Sequence, residues 1–470
     1  MQISFIKNQT TMRSYFSRYI YSAVIVAMVA ITPACNKKLD VVPGQNISPD
    51  QITTEGDVDA TILGAYKSMQ HFNAYGERYF LIADMMANSN ELEFVGTFQN
   101  YLDIFLHRQQ KTNSIPEGIW DRSYQIINAC NIVLDKIDLV TDPGMKAQLT
   151  GEAKFIRAVA YYNLSGLFGK PYSDGNLNAN LAVPLVLEPV LSSDDISKGD
   201  VARATVGEVY TVIENDLKDA ATSLPESNDT RANKFAAWAF LARLYMAEAK
   251  YPLAAAAADS VIESGMFDLT ANFSQAFGNS ANSSEDIFAI QQTNQSNAGT
   301  ENNGMTTFYG SYPTGRGDVQ VNTAILDLYE DGDDRKAFVY DGGSISGIDG
   351  VYTGKWGTLY SNLPVVRLAE MYLTRAEANI RNGSAVGDAP LNDVNAVRGR
   401  SHATPLATVT ANDVVQERFR ELPYEADKLW TIKRLKLSTG TRPYNDPKLT
   451  LPIPQREIDV NGKLQQNDSY

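Results

Sequence analysis

The chain has 470 residues, 44% of them hydrophobic and 20% charged, which is the balance of a folded globular protein and excludes a disordered or collagen-like one. Its 41 Lys and Arg against 55 Asp and Glu give a formal charge of −14, so no basic face is available for binding nucleic acid by counterion release. Two cysteines, Cys35 and Cys130, cannot make a disulfide framework, and the three histidines His71, His107 and His402 lie too far apart for a local metal cluster.

Residues 1–39 carry no acid, place Lys7, Arg13 and Arg18 early, and then run apolar from Tyr19 to Ile31. That is the pattern of a secretory leader, and it is shorter than the roughly 20 residues a spanning helix needs. Met12 is an alternative start. Ile31-Thr32-Pro33-Ala34-Cys35 resembles a bacterial lipoprotein cleavage site, which predicts a signal peptide over 1–34 and a lipidated Cys35. Cleavage there moves the formal charge from −14 to −17, because residues 1–34 hold three bases and no acid. Several acyl chains on Cys35 anchor stably where one does so only marginally. Residues 35–54, with Pro43, Gly44 and Pro49, read as the tether that follows.

Helical periodicity begins with Gly118–Ile137 and Lys146–Phe168, separated by Asp142-Pro143-Gly144, which predicts a helical hairpin. Ala232–Lys250 presents Trp238, Leu241 and Tyr245 on one face. A break at Tyr251-Pro252 and an Ala-rich helix over Leu253–Glu263 make a second hairpin. Ala242, Tyr245 and Ala254 fall at the small, aromatic, small spacing of a tetratricopeptide repeat, where small residues let paired helices approach. A third pair is predicted from Leu363–Arg381 and Pro390–Arg400, with the Asn382-Gly383 stop between them. Three helix pairs are enough to stack into one continuous core. Between Asp268 and Asn362 this periodicity gives way to Asn, Ser, Gly and aromatic residues, and Tyr66–Asn113 has the same richness. Long irregular segments inside a compact protein usually carry function.

The run Gly151-Glu152-Ala153-Lys154-Phe155-Ile156-Arg157-Ala158, continuing through Tyr161-Tyr162-Asn163-Leu164 to Leu167-Phe168-Gly169, resembles the signature helix of the SusD-like (RagB/SusD) outer-membrane lipoproteins of Bacteroidetes. Further blocks agree in order: Asp327-Leu328-Tyr329 with Gly332-Asp333 and Arg335; Arg367 to Leu373 with Ala376-Glu377-Ala378; Leu391-Asn392 with Val397-Arg398; Glu417-Arg418 with Arg420-Glu421-Leu422; and Leu451-Pro452-Ile453-Pro454-Gln455. The resemblance implies a mostly α fold, a tetratricopeptide-like helix-pair scaffold carrying a loop-rich variable subdomain. It divides the body into an N-terminal region over 55–265, with the first binding loop, and a C-terminal region over 266–470, with variable binding loops and further helix pairs. It also implies a non-catalytic surface lipoprotein that captures an oligosaccharide, or in the alternative a peptide, for a TonB-dependent outer-membrane transporter. A tetratricopeptide scaffold that holds only protein partners is a reading from a different class.

Enzymatic motifs are missing: there is no Gly-x-Ser-x-Gly, no His-Glu-x-x-His and no phosphate loop. No catalytic residue, metal or cofactor is expected. Glu330 to Asp334 reads as a turn, since Lys336 and Gly342 stand where an EF-hand needs Gly and Glu. Cys130, beside Ile126, Ile127 and Val133, reads as a buried thiol. Sugar rings have an apolar face and a polar rim, so they are held by flat side chains set among amides and charges. Phe94, Phe98 and Tyr101 in the first loop, and Phe308, Tyr309, Tyr312, Arg316 and Trp356 in the second, are the candidate ligand-binding residues; for each aromatic, packing within its loop is the competing role.

Overall fold

The computed structural model describes residues 51–299 and 302–470. The leader, Cys35 and the tether up to residue 50 lie outside the described residues. Among the described residues no helix is long and apolar enough to cross a membrane.

The helices that start at Glu55, Ser114, Pro143, Val206 and Lys234 begin where the sequence supplies a capping side chain. In α1 (Glu55–Met69) the Thr54 hydroxyl accepts from the Asp57 N–H, and the Asp57 carboxylate accepts from the Thr54 N–H. The short helices α2 (Arg78–Ala87) and α3 (Gln99–Phe105) follow. Asn113 caps α4 (Ser114–Asp135), and Asp142 caps α5 (Pro143–Phe168) with Pro143 in the first turn, where its missing N–H costs nothing. The chain continues with α6 (Val206–Ser223), α7 (Lys234–Ala247) and α8 (Tyr251–Ile262). After a loop-rich stretch come α10 (Leu368–Asn382), α11 (Pro390–Arg400), α12 (Ala411–Glu421) and α13 (Asp427–Leu435), with α9 (Met305–Tyr309) inside that stretch.

The helices pack in sequence: α1 on α4, α4 on α5, α5 on α6, α6 on α7, α7 on α8, α8 on α10, and α10 on both α11 and α12. All three hairpins read from the sequence are present, as α4/α5, α7/α8 and α10/α11. Because α8 packs on α10, the stack runs unbroken across residue 265. Two boundaries differ from the reading. Tyr251 and Pro252 open α8 instead of interrupting it, because proline is well suited to a first helical turn. Leu363–Arg367 is a strand, β8, buried along its whole length, and the helix starts only at Leu368. The β-branched Val365 and Val366 favour that extended state.

Helix α5 is buried on nearly every side because it lies between α4 and α6. Its Arg157 donates to both Asp216 oxygens on α6, at 2.8 Å each, and to Asn131 on α4 at 2.9 Å. One side chain thereby ties three helices. Gly166 leaves room for the Trp430 ring of α13; a Cβ there would stand 2.7 Å from Trp430 Cζ2.

The remaining blocks of the sequence pattern also prove to be structural. Arg335 binds Asp333, Glu417 and Glu421; Arg367 binds Glu285, Glu421 and Glu425; Arg400 binds Glu285 and Glu421; Arg398 binds Glu417. This alternating network is almost fully buried and joins α10–α12 to the loop-rich part. The Glu330 to Asp334 run is a turn that feeds Asp333 into it. Residues 451–470 close over the end of α5: Leu451 N–H donates to Leu167 O at 2.8 Å, Asn467 Nδ2 to Phe168 O at 2.8 Å, and Gln109 Nε2 to the Tyr470 hydroxyl at 2.7 Å.

The loop-rich part contains strands β1 (Leu92–Phe94), β5 (Val319–Val321), β6 (Val339–Gly343) and β7 (Asp349–Thr353), joined antiparallel in the order β1-β5-β7-β6. Two small antiparallel pairs complete the strands: β2 (Leu181–Pro184) with β3 (Arg203–Thr205), and β4 (Asp286–Ile290) with β8.

Candidate functional site

Pairing of β1 with β5, Phe94 opposite Val319, draws together the two irregular segments singled out in the sequence. Around that junction lies a ribbon of alternating aromatic and cationic side chains. It begins in the turn between α1 and α2, where the His71 ring centroid stands 4.2 Å from that of Phe72. The turn is tight enough to require Gly76, where a Cβ would lie 2.2 Å from Gln70 O. Arg78 Cζ sits 5.0 Å from the Phe72 ring centre and 5.8 Å from that of Tyr101, and Arg78 Nε donates to the Tyr101 hydroxyl at 3.3 Å. Beyond Tyr101 comes the Phe98 ring at 6.0 Å, and over Phe98 lies Arg316, its Cζ 4.7 Å from the ring centre. Arg316 is oriented by Asp318, 3.0 Å from Nε, and reaches the Asn302 side-chain oxygen at 3.4 Å.

Beneath the ribbon is Glu77, wholly buried, accepting from the Tyr101 hydroxyl and from Gly304 N–H at 2.7 Å. Burial pushes its carboxyl up to about 7, against the pull of Arg78, Tyr101 and the Gly304 N–H. Burial also raises Asp318, opposed by Arg316. Both carboxyls have protein partners on one side of the ribbon, and their task is to hold Arg78, Tyr101 and Arg316 in place.

The eight sequence candidates separate by environment. Phe94, Phe98 and Arg316 are half-buried at the ribbon, and Tyr312, 56% exposed, projects at the start of the turn that leads to Arg316. Tyr101 is buried to 5% but offers its hydroxyl to the ribbon. Phe308, Tyr309 and Trp356 belong to the core and offer no face to a ligand, which corrects the sequence reading for these three. Phe308 packs against Tyr101 at 4.7 Å and supports it from below; Tyr309 donates to Asp84 at 3.0 Å; Trp356 donates Nε1–H to Tyr424 O at 3.0 Å and packs on Phe80. Packing within the fold is what these rings do. Phe72 and Arg78 lie in the ribbon without having been singled out in the sequence. The available signal was His71-Phe72-Asn73 followed by Arg78, an aromatic-cation spacing within the first irregular segment.

His107 stands apart, its Nε2 3.0 Å from Met86 O, and His402 faces Asp334. Cys130 is buried, and desolvation pushes its thiol up to about 12, so it is inert at neutral pH. Among the described residues no cluster of three or more His, Cys, Asp or Glu is able to hold a metal. A cleft of about 310 Å³ beside Trp120 and Tyr124 has a suitable composition, but the Tyr124 hydroxyl is taken by Pro184 O and the Asn128 amide by the Val190 backbone.

The sequence matches the SusD-like family described as starch-binding and associating with the outer membrane over residues 37–246, and the SusD family over residues 348–449. SusD-like protein P2 of Formosa agariphila is 25% identical over an alignment covering 95% of this chain and 99% of the relative. The starch-binding protein SusD of Bacteroides thetaiotaomicron is 26% identical over 75% of this chain and 78% of its own. A solved SusD superfamily protein of Bacteroides vulgatus, 23% identical, superposes with a TM-score of 0.79 and covers 89% of this chain and 99% of that one. The helix-pair stack, the buried network built from the ordered sequence blocks, and two family matches that together cover about two thirds of the chain agree, and the chain belongs to the SusD family.

Proposed function

We propose that this protein is a non-catalytic binding lipoprotein that captures an oligosaccharide at the Phe72–Arg316 ribbon and passes it to a TonB-dependent β-barrel in the outer membrane, held there through Cys35. The observation that carries the reading is Phe98 with Arg316 laid over it and the Asn302 side-chain oxygen against that guanidinium, a flat ring beside directional polar groups. Kinship with a relative named for starch binding supports a glycan as the ligand. Capture for transport must be reversible, and a dissociation constant in the micromolar range, about −8 kcal/mol, is sufficient.

The test is calorimetry against a panel of oligosaccharides and of peptides, with chromatography of the incubated ligand. Saturable saccharide binding with no shortened product is the expected result. Peptide binding alone would move the reading to the peptide receptor, and cleavage of the ligand would end the non-catalytic assignment.

A further inference from the structure

One end of the ribbon holds a cation that has no hydrogen-bonded or ion-paired partner among the described residues. Arg122 lies on α4 one turn after Gly118, and the two share a helix face. That face is pressed against the α1–α2 turn: a Cβ on Gly118 would stand 2.3 Å from Arg78 Nη1 and 2.7 Å from Asn73 Oδ1. Helical side chains lean toward the N-terminus, so Arg122 leans back toward the Gly118 turn, where its charge bears on His71 and Tyr79. Arg122 is half-buried, and among the described residues it makes no hydrogen bond or ion pair; its Nε is enclosed without a partner, and so is the Asn73 side-chain oxygen. Neighbouring carboxylates are engaged elsewhere. Asp121 acts on Arg122 through its charge alone and accepts from Gln125 at 2.8 Å, and Glu77 lies 3.9 Å from Arg78 Nε, occupied by Tyr101 and Gly304. A half-buried guanidinium whose Nε has no partner, on a helix face packed against Arg78 and Asn73, is a group that a ligand can complete.

We propose that the His71–Asn73–Arg78–Arg122 corner is a subsite for a sugar residue carrying an anionic group, a uronate carboxylate or a sulfate ester. It rests on the glycan reading of the ribbon and adds its charge preference. The guanidiniums of Arg122 and Arg78 take the anion, and the Phe72 ring lies under the sugar face. His71 Nδ1 accepts from Asn73 N–H at 3.1 Å, which leaves the proton on Nε2. Burial, then the Arg122, Arg78 and Lys67 charges, hold the empty-site imidazole down at about 4. A bound anion reverses that field and raises it.

The experiment uses the mature protein and three small probes: D-glucuronate, glucose 6-sulfate and glucose, at matched ionic strength. The readout is the NMR titration of the His71 ring. Glucuronate or glucose 6-sulfate should shift its signals and raise its pKa with at least about tenfold higher affinity than glucose, and the tighter of the two identifies the anion. Arg122→Gln should abolish that preference, and Arg122→Lys, which keeps the charge and loses the enclosed Nε, should retain part of it. Equal response to acidic and neutral sugars, no response to any, or an Arg122→Gln protein that still prefers the acids overturns the proposal. The glycan reading is scored separately, by oligosaccharide binding at Phe98, so a neutral-glycan receptor remains distinguishable from no receptor at all.

Discussion

At the scale of single residues, two rings in ring contact predict opposite phenotypes. Phe98 is half-buried under Arg316, whereas Phe308, 6.2 Å away, is fully buried. Phe98→Ala should weaken oligosaccharide binding by about 2 kcal/mol or more, on the order of thirtyfold, and leave the thermal midpoint nearly unchanged. Phe308→Ala should instead lower stability by about 3–5 kcal/mol, and Trp356→Ala should do the same. Calorimetry paired with thermal melts of the same samples separates the two classes, and a Phe98→Ala protein with normal affinity would falsify the ribbon. The sequence could not sort these rings. Phe308, Tyr309 and Trp356 sit in stretches of sequence as rich in Asn and Gly as the one around Phe98. What buries them is remote: Phe80 and Tyr424 against Trp356, Asp84 and Tyr424 against Tyr309. Arg122 was hidden for the converse reason, since a lone arginine in an amphipathic helix reads as a solvated face until Gly118 is seen to admit Asn73 and Arg78.

At the scale of elements, Arg157 makes the helix stack testable. Removing it leaves Asp216 buried without a partner, so Arg157→Leu should cost about 3–5 kcal/mol in urea unfolding, while Arg157→Leu with Asp216→Leu should recover much of the loss. Gly166→Val should cost about 1–3 kcal/mol by driving Trp430 off α5. The hairpins were legible because helical period and Pro or Gly breaks agree at α4/α5, α7/α8 and α10/α11. The short strands were not: β1 and β5 are three residues each, and no alternation is visible at that length. Strand β8 was absorbed into α10 because apolar residues buried on both faces of a strand look like the start of a helix's stripe.

For the whole molecule, buried ionisable groups set the response to pH. Burial works against ionisation of Glu377 and Glu421, but Arg434, Arg418 and Arg381 pull the first down to about 2, and Arg400, Arg367 and Arg335 do the same for the second. Their folded values lie below the unfolded one, so the stability they contribute is present above about pH 4.5 and is lost as pH falls toward 2. Glu77, Asp84 and Asp286 run the other way: burial raises each to about 7, so their contribution is fully present near pH 4 and is lost as pH rises through 7. Lys433, buried with only Gly166 O as acceptor, is pushed down to about 7, so its penalty is relieved as pH rises from there toward 10.5. The thermal midpoint should fall steeply below pH 4.5, and Lys433→Met should raise it most at pH 7 and below, with the gain shrinking toward pH 10. A gain independent of pH would remove Lys433 from this account.

The closure of residues 451–470 over α5 also sets a clock. Leu167 O waits for the Leu451 N–H, and Gln109 waits 361 positions for Tyr470. At about 5–20 residues per second, the Leu167 carbonyl stays open for roughly 15–60 s after it is synthesised. Throughout that interval the first hairpins lack their final partner, and whatever machinery carries the chain to its destination meets a polymer whose native contacts are still unwritten.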